Sequence, residues 1–322
     1  IIVMNKIELN QHLNFVLQPN GDLQIILYGC FAEGIVKKLD VKGDDLPSIA
    51  QLFVDSIKER ILDKDDYSVI PLSTADDRNK CFYEYDLDIP KELEALETII
   101  GNDQLDSFDF NDDSLSDICA LIIVIADNNH AISLYKKLSP VEVIGRGSYI
   151  LWKANQRFER FNNQLLRISG NFQLIRVESK IVILDLNLIE KSFGFHDVIK
   201  REAIIGLNVI REKGIVSNIN VLENLLDPVS FARKLTKIAR NSTVIKENIP
   251  NVNIIKFSKN HPAVKGKIKY TDDGGQFKLD TKASKNLFIK LLNDDFLTSE
   301  LTSLYYDSLA KDNIELQKEL VN

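Results

Sequence analysis

Between positions 231 and 290 the chain carries 14 lysines and arginines against 4 acidic residues. Eleven of the 14 fall into three groups. Arg233, Lys237 and Arg240 come first, then Lys256, Lys259, Lys265, Lys267 and Lys269, then Lys282, Lys285 and Lys290. Positive charge at this density neutralises phosphates. The bias to lysine favours contact with a nucleic-acid backbone over the bidentate reading of guanine that arginine gives. Phe257 and Tyr270 are the aromatic residues close by. The alternative is that these lysines only solvate exposed helices, and their concentration in an otherwise acidic protein argues against it.

Catalytic chemistry finds fewer candidates. A metal nuclease of the restriction type needs an Asp followed by an acidic-x-Lys pair on the next strand. Asp185 ends a strand candidate, but Glu190-Lys191 lacks the intervening residue. Asp294 and Asp295 are adjacent; on a helix they would diverge by about 100° and could not share an ion. His12, His130, His196 and His261 show no ligand spacing, and Cys30, Cys81 and Cys119 form no CxxC and read as buried thiols. Asp103, Asp106, Asp109, Asp112, Asp113 and Asp117 recur rhythmically, yet without the glycine and glutamate of a calcium loop, so they read as a solvated acidic loop. Gly145-Arg146-Gly147-Ser148 lacks the spacing and lysine of a phosphate loop and reads as a turn. The expectation is a binding protein without metal or cofactor. A metal-dependent nuclease is one alternative, and a non-enzymatic interaction or inhibitor protein with an acidic docking surface is another.

The elements that must position the lysines can be read from periodicity. Asp227 and Pro228 open a helix whose apolar arc is Phe231, Ala232, Leu235, Ile238 and Ala239. A second helix runs from about Thr281 to Leu292 with Asp280 as N-cap. There Leu287, Phe288, Leu291 and Leu292 oppose Lys282, Lys285 and Lys290, and Ile289 interrupts the pattern. Asn293-Asp294-Asp295 ends it, and a third helix with Leu301, Leu304, Tyr305 and Leu309 should follow. The lysines from 256 to 269 read as a flexible link. Upstream, residues 5–45 read as extended around Pro19-Asn20-Gly21-Asp22, and Pro47–Leu62 as a helix. Strands are expected at Leu23–Gly29, Cys81–Leu87, Cys119–Ala126, His130–Tyr135 and Tyr149–Lys153, and Phe172–Val177 with Ile181–Asp185 as a β-hairpin. Asn187–Phe193 and His196–Glu212 read as helical.

The 322 residues carry a net charge of -7, but residues 1–150 hold 13 basic against 27 acidic residues and residues 151–322 hold 27 against 20. That asymmetry divides the chain into an acidic and a basic part. The expected architecture is α+β in two domains: an acidic sheet-and-helix domain over 1–155 for partner or dimer contacts, and a basic domain over 156–322 built from the β-hairpin and several helices. No stretch is apolar for long enough to cross a bilayer, and a secretory signal is not expected.

The run from Phe288 to Asp312, FIKLLNDDFLTSELTSLYYDSLAKD, together with IVILDLNLIEKSFGF from Ile181 to Phe195, resembles the KwaB family of the two-part Kiwa anti-phage system. The resemblance covers the second half of the chain. It implies a cytoplasmic, DNA-binding effector that forms a homodimer or higher homo-oligomer. The implied ligand is double-stranded DNA, and the implied partner is an inner-membrane protein resembling KwaA, through which the chain is recruited to the membrane.

Overall fold

The computed structural model describes residues 4–74, 80–90, 93–99, 105–139, 142–144, 150–154, 157–161, 165–186, 195–299 and 301–307. The expected turn at Gly145–Ser148 and helix at Asn187–Phe193 lie outside them. The fold is α+β, and the chain divides into two compact units, residues 1–72 with 80–195 and residues 73–79 with 196–322.

The first unit is organised by an eight-stranded sheet. Its strands are β1 (Gln24–Cys30), β2 (Val36–Lys38), β3 (Ser68–Pro71), β4 (Cys81–Glu84), β5 (Ala120–Ala126), β6 (Ala131–Lys137), β11 (Leu174–Val177) and β12 (Lys180–Ile183), in the order β2-β1-β5-β6-β11-β12-β4-β3. Only β3 and β4 run parallel. The pairs β7 (Val143–Ile144) with β10 (Leu165–Leu166) and β8 (Ile150–Ala154) with β9 (Arg157–Phe161) form separate two-stranded ladders. β5 is a near-continuous apolar run, and Leu121, Ile122, Ile123 and Ile125 are all fully buried, as a central strand covered on both faces requires. Helix α2 (Leu46–Ile57) packs Phe53, Val54 and Ile57 into the same core, followed by Ile61 in a wider turn.

Four expectations are corrected by the fold. The hairpin assigned to the basic domain is β11–β12, and it lies inside this sheet between β6 and β4. Its inward residues Leu174, Ile175, Val182 and Ile183 are fully buried, which a free two-stranded hairpin could not achieve. Residues 5–45 are not wholly extended: Lys6–Leu13 is helix α1. Its signal is a capping box, in which Asn5 Oδ1 accepts from Glu8 N (2.9 Å) and Glu8 Oε2 accepts from Asn5 N (3.0 Å). The acidic loop is also less solvated than expected, because Lys37 Nζ donates to both carboxylate oxygens of Asp113 (2.6 and 2.7 Å). The three cysteines are unpaired thiols, of which only Cys30 is buried.

Lys136 on β6 is fully buried. Its ammonium donates to Ser169 Oγ (2.8 Å) and Asn171 Oδ1 (2.5 Å) and stands 2.7 Å from Glu142 Oε1, so all three protons are used. Burial works against the Glu142 charge. Lys136, the Ser139 N–H and the Ser169 and Ser139 hydroxyls outweigh it and hold the carboxyl at about 2.

The second unit is mainly helical. Helix α3 (Phe195–Lys213) buries Val198, Ile199, Glu202, Ala203, Leu207 and Ile210 along one face. Gly206 lies on that face against α4 (Val229–Asn241), where a Cβ would come within 2.1 Å of the Leu235 carbonyl oxygen. α4 begins one residue later than the Asp227 cap predicts, with Pro228 at the cap, and Asp227 pairs with Lys200 (2.8 Å) instead. Helix α5 (Asn251–Asn260), strands β13 (Lys269–Tyr270) and β14 (Phe277–Lys278), helix α6 (Lys282–Leu292) and strands β15 (Phe296–Thr298) and β16 (Tyr305–Asp307) follow.

α6 is capped by Thr281, one residue after the expected Asp280: Thr281 Oγ1 accepts from Ser284 N and Ser284 Oγ from Thr281 N, both at 3.0 Å. It ends in a Schellman turn, with Asp294 N donating to Leu291 O (3.1 Å) and Asp295 N to Lys290 O (2.9 Å). Asp294 is held there at φ 58°, a conformation that favours glycine. We therefore expect Asp294→Gly to be more stable than Asp294→Ala by about 1 kcal/mol, read from urea midpoints. Equal midpoints would show that the backbone conformation contributes nothing. The third helix is replaced by the β15–β16 hairpin, in which Leu297 faces Tyr306 and Thr298 faces Tyr305.

Candidate nucleic-acid interface

The segment expected to be a flexible link is an ordered helix, turn and hairpin. α5 is anchored at its start, where Asn251 Nδ2 donates to Lys213 O (2.7 Å) and Lys213 Nζ to Ile249 O (2.9 Å). It buries Ile254, Ile255 and Ser258, which leaves Lys256 and Lys259 exposed. At its end the Val264 and Lys265 N–H groups both return to His261 O (3.0 and 2.9 Å), closing a compact turn. Buried Val264 and Ile268 pin that turn, so exposed Lys265 and Lys267 project from fixed backbone.

The β13–β14 ladder then sets Lys269 opposite Lys278, a lysine that the sequence reading did not single out. Like charges across a ladder are unfavourable. Lys269 finds Asp280 at 3.2 Å, whereas Lys278 makes no ion pair among the described residues. The ladder is held by fully buried Phe277, whose N–H donates to Ile215 O (2.8 Å) and whose carbonyl accepts from Ser217 N (3.0 Å). Ser258 Oγ and Tyr270 Oη lie 3.0 Å apart, and Lys259 Nζ sits 4.8 Å from the Tyr270 ring centre, linking α5 to the hairpin. The hairpin tip has the opposite sign. The Thr271 hydroxyl and the Gly275 N–H keep the Asp273 carboxyl below the usual range.

The two flanking helices contribute less than their sequences suggest. Arg233, Lys237 and Arg240 on α4 are all half-buried, and Arg240 Nε donates to buried Glu202 on α3 (2.7 Å). On α6 Lys282 is exposed, but Lys285 and Lys290 are half-buried. Ile289, which interrupts the wheel, is itself fully buried, so the helix is covered on both sides of the arc drawn from sequence. The exposed positive surface of this stretch therefore belongs to Lys246, Lys256, Lys259, Lys265, Lys267, Lys269, Lys278 and Lys282. Like-charge register across a hairpin was the signal for Lys278, and it becomes visible only once the strands are paired.

Beside α5 stands an aromatic group. His261 is buried, its Nδ1 accepts from Ala263 N (3.3 Å), and its Nε2 has no hydrogen-bond partner. Its ring stacks on Phe257 (4.9 Å between centres), tilts on Phe296 (5.3 Å) and meets Tyr305 edge-on (4.9 Å), and burial lowers its pKa. Among the described residues no three His, Cys, Asp or Glu side chains are grouped to hold an ion. Asp294 is exposed and Asp295 buried.

A family model for Kiwa KwaB-like proteins matches residues 115–302, a span that takes in the exposed lysines of this interface. Kiwa protein KwaB of Escherichia coli O55:H7 (strain RM12579 / EPEC) is 30% identical over 281 residues, covering 85% of this chain and 89% of that protein. No solved structure matches.

Proposed function

The chain belongs to the KwaB-like family of Kiwa proteins, components of anti-phage defence, and from that premise we propose that it binds double-stranded DNA through its phosphates. The observation that carries this reading is the group of exposed lysines on α5, the following turn and the β13–β14 ladder, held by buried side chains and largely free of acidic partners. Lysines on fixed backbone give up little conformational freedom on meeting phosphates, and they read charge rather than base identity. Binding without strand cleavage is the proposed role, with a metal-dependent nuclease as the second reading.

With about 5–7 phosphates neutralised, affinity for any duplex should fall by about three to four decades between 50 and 200 mM salt. Unrelated duplexes should bind alike. Charge reversal at Lys265, Lys267 and Lys278 should make the salt dependence shallower by about three phosphates, since each lysine accounts for about one. Fluorescence anisotropy with two unrelated duplexes measures both effects. A marked preference between the duplexes, or an unchanged salt slope in the variant, would refute the proposal.

The acidic first part of the chain is unsuited to a polyanion, and we assign it to partner contacts or self-association. Among the described residues no helix is long and apolar enough to cross a membrane. Recruitment to the inner membrane from the cytoplasm is accordingly proposed to run through a protein partner, a membrane protein of the KwaA kind.

A further inference from the structure

The exposed lysines of α5 adjoin exposed aromatic rings, and nothing in backbone binding to a duplex uses those rings. Phe257 is 39% exposed and Tyr305 54% exposed, although both are large and apolar. Each is fixed by the buried His261 ring between them, Phe257 by stacking at 21° and Tyr305 edge-on at 88°. His261 is in turn oriented by the Ala263 N–H and backed by Phe296. With one face against His261, the exposure of Phe257 is on the side away from it. Lys256 adjoins Phe257 on the same helix and is exposed, whereas Lys259, two residues on, turns to the other side and sits over the Tyr270 ring. Rigid rings next to ammonium groups suit an unstacked base whose phosphates lie alongside, a contact that a closed duplex cannot make because its bases are stacked on one another.

We propose that Phe257 and Tyr305 form a stacking site for unpaired nucleotides of a nucleic-acid strand, with Lys256 on the adjoining phosphate. This rests on the DNA-binding reading and adds to it the class of strand that the site takes. On the turn that leads into β15, Asp294 is exposed and Asp295 is buried.

The test compares a labelled oligothymidylate of about 16 nucleotides, the length range that one stacking groove occupies, with a duplex of equal length. Phe257→Leu and Tyr305→Leu keep apolar bulk against His261 while removing the aromatic face. Each should weaken single-strand binding by about five- to 150-fold, the range for losing one stacked base, and change duplex binding less than twofold. Thermal melts of the variants within a few degrees of wild type confirm that the His261 packing survives. If they melt lower, Phe257→Tyr and Tyr305→Phe replace them, and both should retain single-strand affinity. Three outcomes overturn the proposal. Wild type that binds duplex with the leucine variants losing nothing on the single strand would leave the DNA reading standing alone. Wild type that binds neither form would remove the DNA reading as well. Unchanged DNA affinities with a changed mass by light scattering would assign the rings to self-association.

Discussion

Lys136→Met is expected to destabilise the first unit by about 3 kcal/mol, because it leaves the Glu142 carboxylate, only 12% exposed, without its cation. Ser139 and Ser169 would still donate to Glu142, but neutral hydroxyls do not replace an ammonium at 2.7 Å. The pH dependence gives a second signature. Glu142 in the folded protein keeps its charge down to about pH 2, whereas a carboxyl with the ordinary value of 4.5 takes up its proton earlier. Its contribution to stability is thus full above pH 4.5 and is lost as the pH falls towards 2. In Lys136→Met the Glu142 carboxyl should protonate more readily, so the stability gap to wild type should narrow as the pH drops below 4.5. Adding Glu142→Gln should recover about 2 kcal/mol, since no buried charge then remains. Urea denaturation followed by circular dichroism at several pH values measures all three. A pH-independent loss with no recovery in the double variant would mean that Lys136 matters only for its bulk.

Gly206→Ala should be comparably severe in the second unit. The added Cβ would meet the Leu235 carbonyl oxygen at 2.1 Å and its carbon at 2.9 Å, and neither is the movable end of a side chain. α3 and α4 would have to separate, opening the face that holds Leu207, Leu235 and Ile238 and straining the Arg240–Glu202 pair. A loss of about 3 kcal/mol or more is expected, at the upper end of overpacking. Gly43→Ala is the control, because a Cβ there meets nothing within 4 Å, and its effect should stay within about 1 kcal/mol. Similar unfolding midpoints for the two variants would show that the helices adjust freely.

The sequence was informative wherever one face of an element decides its conformation. Ile118–Ala126 is apolar throughout and supplied the interior strand β5, and the helix expected over Pro47–Leu62 became α2, with Phe53 and Ile57 buried, and the turn that buries Ile61. It failed where periodicity has two solutions. Leu301, Leu304 and Tyr305 fit a helix, but the turn closed by Ser299 N donating to Leu304 O (2.9 Å) brings residues 296–298 against 305–307, and the ladder satisfies their backbone instead. The hairpin at 174–183 was visible as a hairpin, yet nothing local says that it must enter a sheet whose other members lie far away in the chain. The lysines were legible as a charge cluster. Their division into exposed and committed side chains depends on partners such as Glu202 and on the burial of Ile289, which only the packed fold supplies.

The strand order also constrains how the protein is made. β4 meets β12 with Glu84 opposite Val182, about a hundred residues later, and loop closure over that distance is slow. While the chain is being synthesised, β3 and β4 can pair with each other, but the other edge of β4 stays open until the β11–β12 hairpin has emerged. An open strand carrying Phe82 and Tyr83 is a template for pairing with another nascent chain. A fragment ending at residue 155 would keep that edge open permanently, and residues 156–322 alone would carry the orphaned hairpin. Expression of either piece should therefore yield aggregates, and a cut that respects the sheet falls after β12.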